Sequence, residues 1–205
     1  MRQIKSVSFF GYSDAKPIDK IFHDAYKTAK LLAEKGYVIV NGGGPGVMEA
    51  ATRGAADAKG STITITFNPK DAPGYEGRYL GNIPDVEVKA GNYIDRMFKL
   101  MEYGDVYVIF KGGTGTLSEA ATAWALARLY IGHHKPFVLF GSHWREVIKC
   151  LKKNSFLRGG ETEVFEIVET PEGALLAIEQ FEKEIQARKK WRRVGKAGKK
   201  YTLGK

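Results

Sequence analysis

The sequence predicts an α/β protein, a single domain built on a Rossmann-like, doubly wound, mostly parallel sheet with helices on both faces. Three observations carry this. Short runs rich in β-branched and aromatic residues alternate with segments of helical period along the whole chain. The stretches between successive strands are long enough to hold a helix, as parallel βαβ units require. Two glycine clusters directly follow strands, at the edge of an open sheet where ligands gather.

The elements follow in order. IKSVSFF (4–10) reads as the first strand and ends at Gly11. A helix is expected from about Pro17, with Asp14 or Lys16 near its cap. Ile18, Ile21, Phe22, Ala25, Ala29 and Leu32 recur at helical spacing and are expected to bury one face. Gly36 stops it, and YVIV (37–40) is wholly apolar, as a strand covered on both faces should be. The alanine-rich GVMEAATRGAADAKG is a helix closed by Gly60, and STITITF (61–67) is a strand. Residues 68–85 hold three of the seven prolines and read as a long loop. VEVKA, NYIDRMFKLMEY and DVYVIF (105–110) continue as strand, helix and strand. TLSEAATAWALARLYIG, KPFVLF (135–140) and SHWREVIKCLKK follow as helix, strand and helix, and EVFEIVE and PEGALLAIEQFEKEIQAR close the body.

Composition narrows the class. A chain of 205 residues has room for one sizeable core. No window approaches the roughly 18 apolar residues that span a bilayer, so no membrane contact is expected. The first apolar run is too short for a signal peptide. Cys150 is alone, which excludes an internal disulfide and suits the cytoplasm. The formal charge of +9 is a tail property: nine of the 32 Lys and Arg fall in 187–205, and the remaining 23 balance the 23 acids. The expected division is therefore a folded α/β domain over 1–186, whose glycine loops below suit a nucleotide, and a basic, disordered tail over 187–205. That tail is either a solubilising extension or a weak nucleic-acid contact, with Trp191 and Tyr201 available to stack.

The glycine loops are NGGGPG (41–46) and FKGGTGTLSEA (110–120). The first strand carries one glycine where a dinucleotide fingerprint needs three, and Lys111 precedes its glycines where a Walker A lysine follows them. What remains is a loop in which Gly112, Gly113 and Gly115 let the backbone approach a ligand, Thr114 and Thr116 add hydroxyls, and a helix N-terminus presents unpaired amides. That set suits a monophosphate. Gly42, Gly43, Gly44 and Gly46 stand in the corresponding place after the second strand, with Glu49 just beyond them. Ser13 and Asp14 are candidate contacts on position alone. Glu119 lies one turn into the helix, about 5 Å along its axis from the amides. It is either an acid facing a sugar or a charge complementing the helix dipole. His23, His133, His134 and His143 lack ligand spacing, so no metal is expected.

GGGPGVMEAATRGAADAKG, Arg96 and GGTGTLSEA together resemble the Lonely Guy (LOG) family of nucleotide phosphoribohydrolases, over about residues 4–180. The family signature is P-G-G-x-G-T-x-x-E with an Arg-Lys pair before it. The resemblance implies cleavage of the N-glycosidic bond of a nucleoside 5′-monophosphate, either AMP-like or a cytokinin riboside monophosphate, to free base and ribose 5-phosphate. It implies a homodimer with sites near the subunit interface and no cofactor. Glu119 would stabilise the ribosyl cation or orient water, and Arg96 would clamp phosphate or counter leaving-group charge. On sequence alone, without the resemblance, Arg96 reads rather as a surface ion pair with Asp95 or Glu102. Three positions depart from the signature: Met97 replaces the Lys, Lys111 the Pro, and Ser118 one of two acids. Lys111 is expected to restore phosphate attraction. The departures leave open a non-catalytic nucleotide or pterin-cofactor carrier of related fold, and a nucleic-acid-binding protein that uses the basic tail.

Overall fold

The computed structural model describes residues 3–68, 78–129, 135–157 and 159–196, with the backbone alone for Leu129 and for 188–196. Its strands are β1 (Ser6–Phe10), β2 (Val38–Asn41), β3 (Thr62–Phe67), β4 (Val86–Ala90), β5 (Val106–Ile109), β6 (Phe137–Phe140) and β7 (Phe165–Val168). Its helices are α1 (Lys20–Glu34), α2 (Val47–Asp57), α3 (Tyr93–Tyr103), α4 (Thr114–Leu129), α5 (His143–Asn154) and α6 (Pro171–Lys196).

All seven strands pair in parallel, in the order β4-β3-β2-β1-β5-β6-β7. The chain winds outward from β1 to β4, and α3 then carries it back across the sheet to β5. Right-handed crossovers put helices of the two windings on opposite faces. One core layer therefore joins α1, α2 and α6 to Val7, Phe9, Ile39, Val108 and Phe140. The other joins α3, α4 and α5 to Phe10, Val40, Ile65, Ile109 and Leu139. Alternate residues of β1 thus enter different cores, which is why its run is apolar on both faces. The strand order reverses between β1 and β5, so their carboxyl ends splay apart into a crevice.

Local chemistry sets the helix ends. Asp19 is the N-cap of α1, and its carboxylate accepts from the Lys16 amide at 2.7 Å. The helix starts later than Asp14 or Lys16 would place it. Ile18 consequently precedes the cap and is 86% exposed, not part of the buried face. At the other end Gly36 takes φ 80°, its amide bonds Ala33 O, and the Tyr37 amide bonds Leu32 O. That is a Schellman closure, and glycine supplies its left-handed residue. Helices α1 and α2 touch closely because Gly54 lacks a Cβ, which would sit 2.2 Å from Tyr26 O.

Two features were not expected. Helix α6 continues to Lys196, so the backbone of 187–196 is helical; 197–205 lie outside the described residues. A 3₁₀ turn at Glu161–Val164 receives the Trp124 indole N–H on Glu161 O at 2.6 Å. Of the expected loop 68–85, the part at 69–77 lies outside the described residues, as do His133 and His134. Among the described residues no helix is long and apolar enough to cross a membrane.

Candidate functional site

The crevice is closed underneath by one backbone bond, from the Tyr12 amide to Lys111 O at 3.0 Å, which ties the loop after β1 to the loop after β5. Above it lies a cavity of ≈ 260 Å³. Gly11, Tyr12 and Ser13 come from the first loop, and Gly113 through Thr116 with Glu119 from the second. Gly42, Met48, Tyr93 and Arg96 complete the ring over a floor of Phe9, Phe10 and Leu100.

The second loop is a tight strand-to-helix turn. Helix α4 begins at Thr114, and its first backbone return runs from the Leu117 amide to Gly113 O at 3.0 Å. The amides ahead of Leu117 have no acceptor within the helix and sit at the positive end of its dipole. Gly112 is glycine because a Cβ there would lie 2.2 Å from Thr116 Oγ1, and Gly113 meets nothing within 4 Å. Gly115 faces the Tyr93 hydroxyl, 3.3 Å from where its Cβ would be. Gly113, Thr114, Gly115 and Thr116 all line the cavity; Gly112 shapes the turn behind them.

Glu119 and Arg96 converge from different helices. Arg96 is 4% exposed, which excludes the surface ion pair; Asp95 instead pairs with Lys99 at 2.8 Å. Asn92 caps α3 by accepting from the Asp95 amide at 2.9 Å, fixing the first turn from which Arg96 projects. The guanidinium donates from Nε to Ile65 O at 3.1 Å and from Nη2 to Gly42 O at 3.0 Å. A Cβ on Gly42 would fall 1.6 Å from Nη2, so only glycine admits this arginine. Glu119 is 8% exposed. Burial pushes its carboxyl up to about 7, and the Arg96 charge pulls the other way without overcoming it. Near neutral pH the acid is poised to hold or release a proton.

The first glycine loop is largely a wall. Gly42 alone of its glycines lines the cavity. Gly43 (φ 70°) donates to Asn41 Oδ1 at 2.9 Å and accepts from the Tyr79 amide at 3.0 Å. Gly44 O accepts from Asn82 at 2.9 Å. Gly46 (φ 66°) packs so tightly on the first loop that a Cβ would meet Ser13 O at 2.4 Å. Glu49 is buried and pairs with Arg53 at 2.5 Å, a bond along its own helix. Lys111 lines a second cavity of ≈ 320 Å³ with Lys20, His143 and Glu169, and does not line the first. Burial first, and the Lys111 charge second, hold the His143 imidazole below its ordinary value. Met97 packs on α4, where its sulfur meets the Ser118 and Thr122 hydroxyls at 3.9 Å. Asp14 is exposed; Ser13 lines the cavity. Among the described residues no group of His, Cys, Asp and Glu is arranged to hold a metal ion.

Sequence reasoning missed Tyr12, Met48 and Tyr93. Tyr93 had a findable signal, since it stands three residues before Arg96 and so shares its helix face.

A doubly wound sheet with a small, amide-rimmed cavity at its reversal point makes this an open α/β protein whose crevice stands where such sheets take their ligands. The chain belongs to the SLOG cluster 4 family, whose model matches residues 5–159. A solved structure of the structural-genomics target TM1055 is 30% identical and superposes with a TM-score of 0.65, covering 86% of this chain and 99% of that one. The molybdenum cofactor binding protein of the phototrophic bacterium Rippkaea orientalis has the same fold at 24% identity, TM-score 0.65, covering 87% and 98%. An uncharacterised protein of Archaeoglobus fulgidus is 29% identical over 123 residues, 60% of this chain and 77% of its own length. The resemblance read from the sequence thus holds at the level of the SLOG-type fold and not of the LOG hydrolases specifically.

Proposed function

We propose that this protein binds, without cleaving, a small ligand carrying one phosphoryl group and a flat ring system, of the nucleotide or pterin-cofactor class. One observation carries the reading. Arg96, the cavity's buried cation, is bonded to two backbone carbonyls, and the neighbouring Met97 packs against α4 where the LOG signature has a lysine. The α4 amides with Thr114 and Thr116 remain to receive one phosphoryl group. Tyr12 and Tyr93 line the cavity beside it and supply aromatic surface for a ring. The volume is at the low end for small-molecule sites, which suits a monophosphate better than a dinucleotide. The cofactor named for the Rippkaea orientalis protein belongs to the same chemical class.

The second reading is hydrolysis of the N-glycosidic bond of a nucleoside 5′-monophosphate, and Glu119 favours it. A buried carboxyl titrating near 7 is suited to moving a proton to a leaving base or from water. One experiment separates the two. A panel of nucleoside monophosphates and a pterin phosphate is titrated calorimetrically, and bound ligand is recovered and assayed for free base and ribose 5-phosphate. Intact recovery supports the carrier. Turnover that disappears in Glu119→Gln replaces it with the hydrolase, and absence of binding across the panel removes both.

The homodimer implied by the resemblance is retained as part of this proposal. Ile94, Phe98 and Leu117 are exposed on α3 and α4 beside the cavity and are the surface it would cover. Light scattering tests it. Nucleic-acid contact through 187–205 is tested by deleting those residues and measuring salt-sensitive RNA binding.

A further inference from the structure

Strand β3 alternates threonines, and Thr62, Thr64 and Thr66 lie on one face. Thr64 pairs in register with Asn41, whose amide donates to Thr52 Oγ1 of α2 at 2.8 Å, so this face looks toward α2. The outer two threonines are satisfied by the segment that follows. Thr62 Oγ1 bonds Asp85 Oδ2 at 2.8 Å, and Thr66 Oγ1 bonds Glu87 Oε1 at 2.6 Å. The middle hydroxyl, Thr64 Oγ1, is buried and has no hydrogen-bond partner among the described residues. Asn82 is fully buried too. Its Nδ2 donates to Asn41 Oδ1 at 3.2 Å and to Gly44 O at 2.9 Å, while its Oδ1 is the second orphan.

The Asn82 amide cannot be turned round to cure this. A flip would set its oxygen against two acceptors, Gly44 O and Asn41 Oδ1, and the latter is identified as oxygen by the Gly43 amide it accepts. Both orphans border the same arch. Asn82 holds Gly44, and the Thr64 Cβ stands 3.5 Å from the place a Cβ of Gly43 would take. An acceptor and a hydroxyl, each buried beside one glycine arch, are the polar partners an internal water needs.

We infer that one internal water accepts from Thr64 Oγ1 and donates to Asn82 Oδ1, and that Asn82 is the positioning residue of the Gly42–Gly44 arch. Four backbone groups of that arch are then held, its three carbonyls by distant segments and one amide by the adjoining Asn41. Gly42 O is held by Arg96, Gly43 N by Asn41, Gly43 O by Tyr79, and Gly44 O by Asn82. Asn82 does not line the cavity; it holds Gly44 O, in the same arch as the Gly42 carbonyl on which Arg96 rests. Its bearing on the ligand depends on the binding function proposed above; the anchor itself does not.

The test is amide hydrogen exchange on the full chain, with Val108 as a core reference. Asn82→Ala should speed exchange at Gly43 by about 5- to 10-fold relative to Val108, the factor expected for one net hydrogen bond. Thr64→Val should speed it less, and Thr64→Ser, which keeps the hydroxyl, should restore it. A crystal structure should show one ordered water between the two side chains. AMP should bind Asn82→Ala more weakly than wild type. Unchanged Gly43 exchange in both Asn82→Ala and Thr64→Val overturns the proposal, as does Thr64→Ser behaving like Thr64→Val. Should Asn82→Ala fail to fold, the threonine pair decides alone. Wild type that binds no AMP refutes the ligand reading only, since exchange at Gly43 is measured without ligand.

Discussion

Replacing Glu119 by Gln should make the protein more stable, and increasingly so as pH rises. In the unfolded chain this carboxyl titrates near its ordinary value of 4.5; in the folded chain burial beside Arg96 leaves it near 7. Between those values the unfolded state has released the proton and the folded state still holds it. Stability therefore falls as pH rises through this window and levels off above the folded value. A shift of this size corresponds to about 3 kcal/mol, already net of the attraction to Arg96. Gln copies the shape and neutrality of the protonated acid, so the variant escapes the loss. For a chain of this length the gap in Tm between variant and wild type should widen by about 5–10 °C from pH 5 to pH 8. Scanning calorimetry at four pH values measures it. Parallel Tm curves for the two proteins would refute the claim that Glu119 is buried without full compensation by Arg96.

Three further outcomes follow from the same geometry. Gly42→Ala should cost about 3–5 kcal/mol, because its Cβ would displace Arg96 from two buried carbonyls; urea denaturation reads this, and AMP binding should be lost with it. Glu182→Ala should lower stability by about 1–3 kcal/mol, since its two oxygens accept the Gln3 and Ile4 amides at 2.8 and 2.7 Å and hold the start of β1 to α6. Lys111→Ala should leave AMP affinity unchanged by calorimetry, because the side chain lines the second cavity; a marked loss would restore it to the phosphate site.

Much of the site was legible because it is local. Three glycines, two threonines and a helix start within a few residues of one another, and the chain needs no distant partner to place them on a strand end. Glu119 follows by helical spacing alone. Arg96 was legible as a residue but not as an environment: its partners, Gly42 and Ile65, lie 54 and 31 positions away. Nothing near Lys111 in the chain reveals that its backbone closes one cavity while its side chain lines another. Ile18 failed for a smaller reason, since hydrophobic spacing extends past a cap that Asp19 sets.

The amino-acid order alone determined the alternation of strands and helices, the parallel winding and the two glycine turns, because backbone preference and side-chain period act within a few residues. Only the folded chain decided which glycines line the cavity and which build its wall. It also decided that an arginine would be buried against carbonyls, and that a carboxyl would be driven toward neutrality. Those outcomes depend on desolvation and on hydrogen bonds between segments that meet only when the sheet closes.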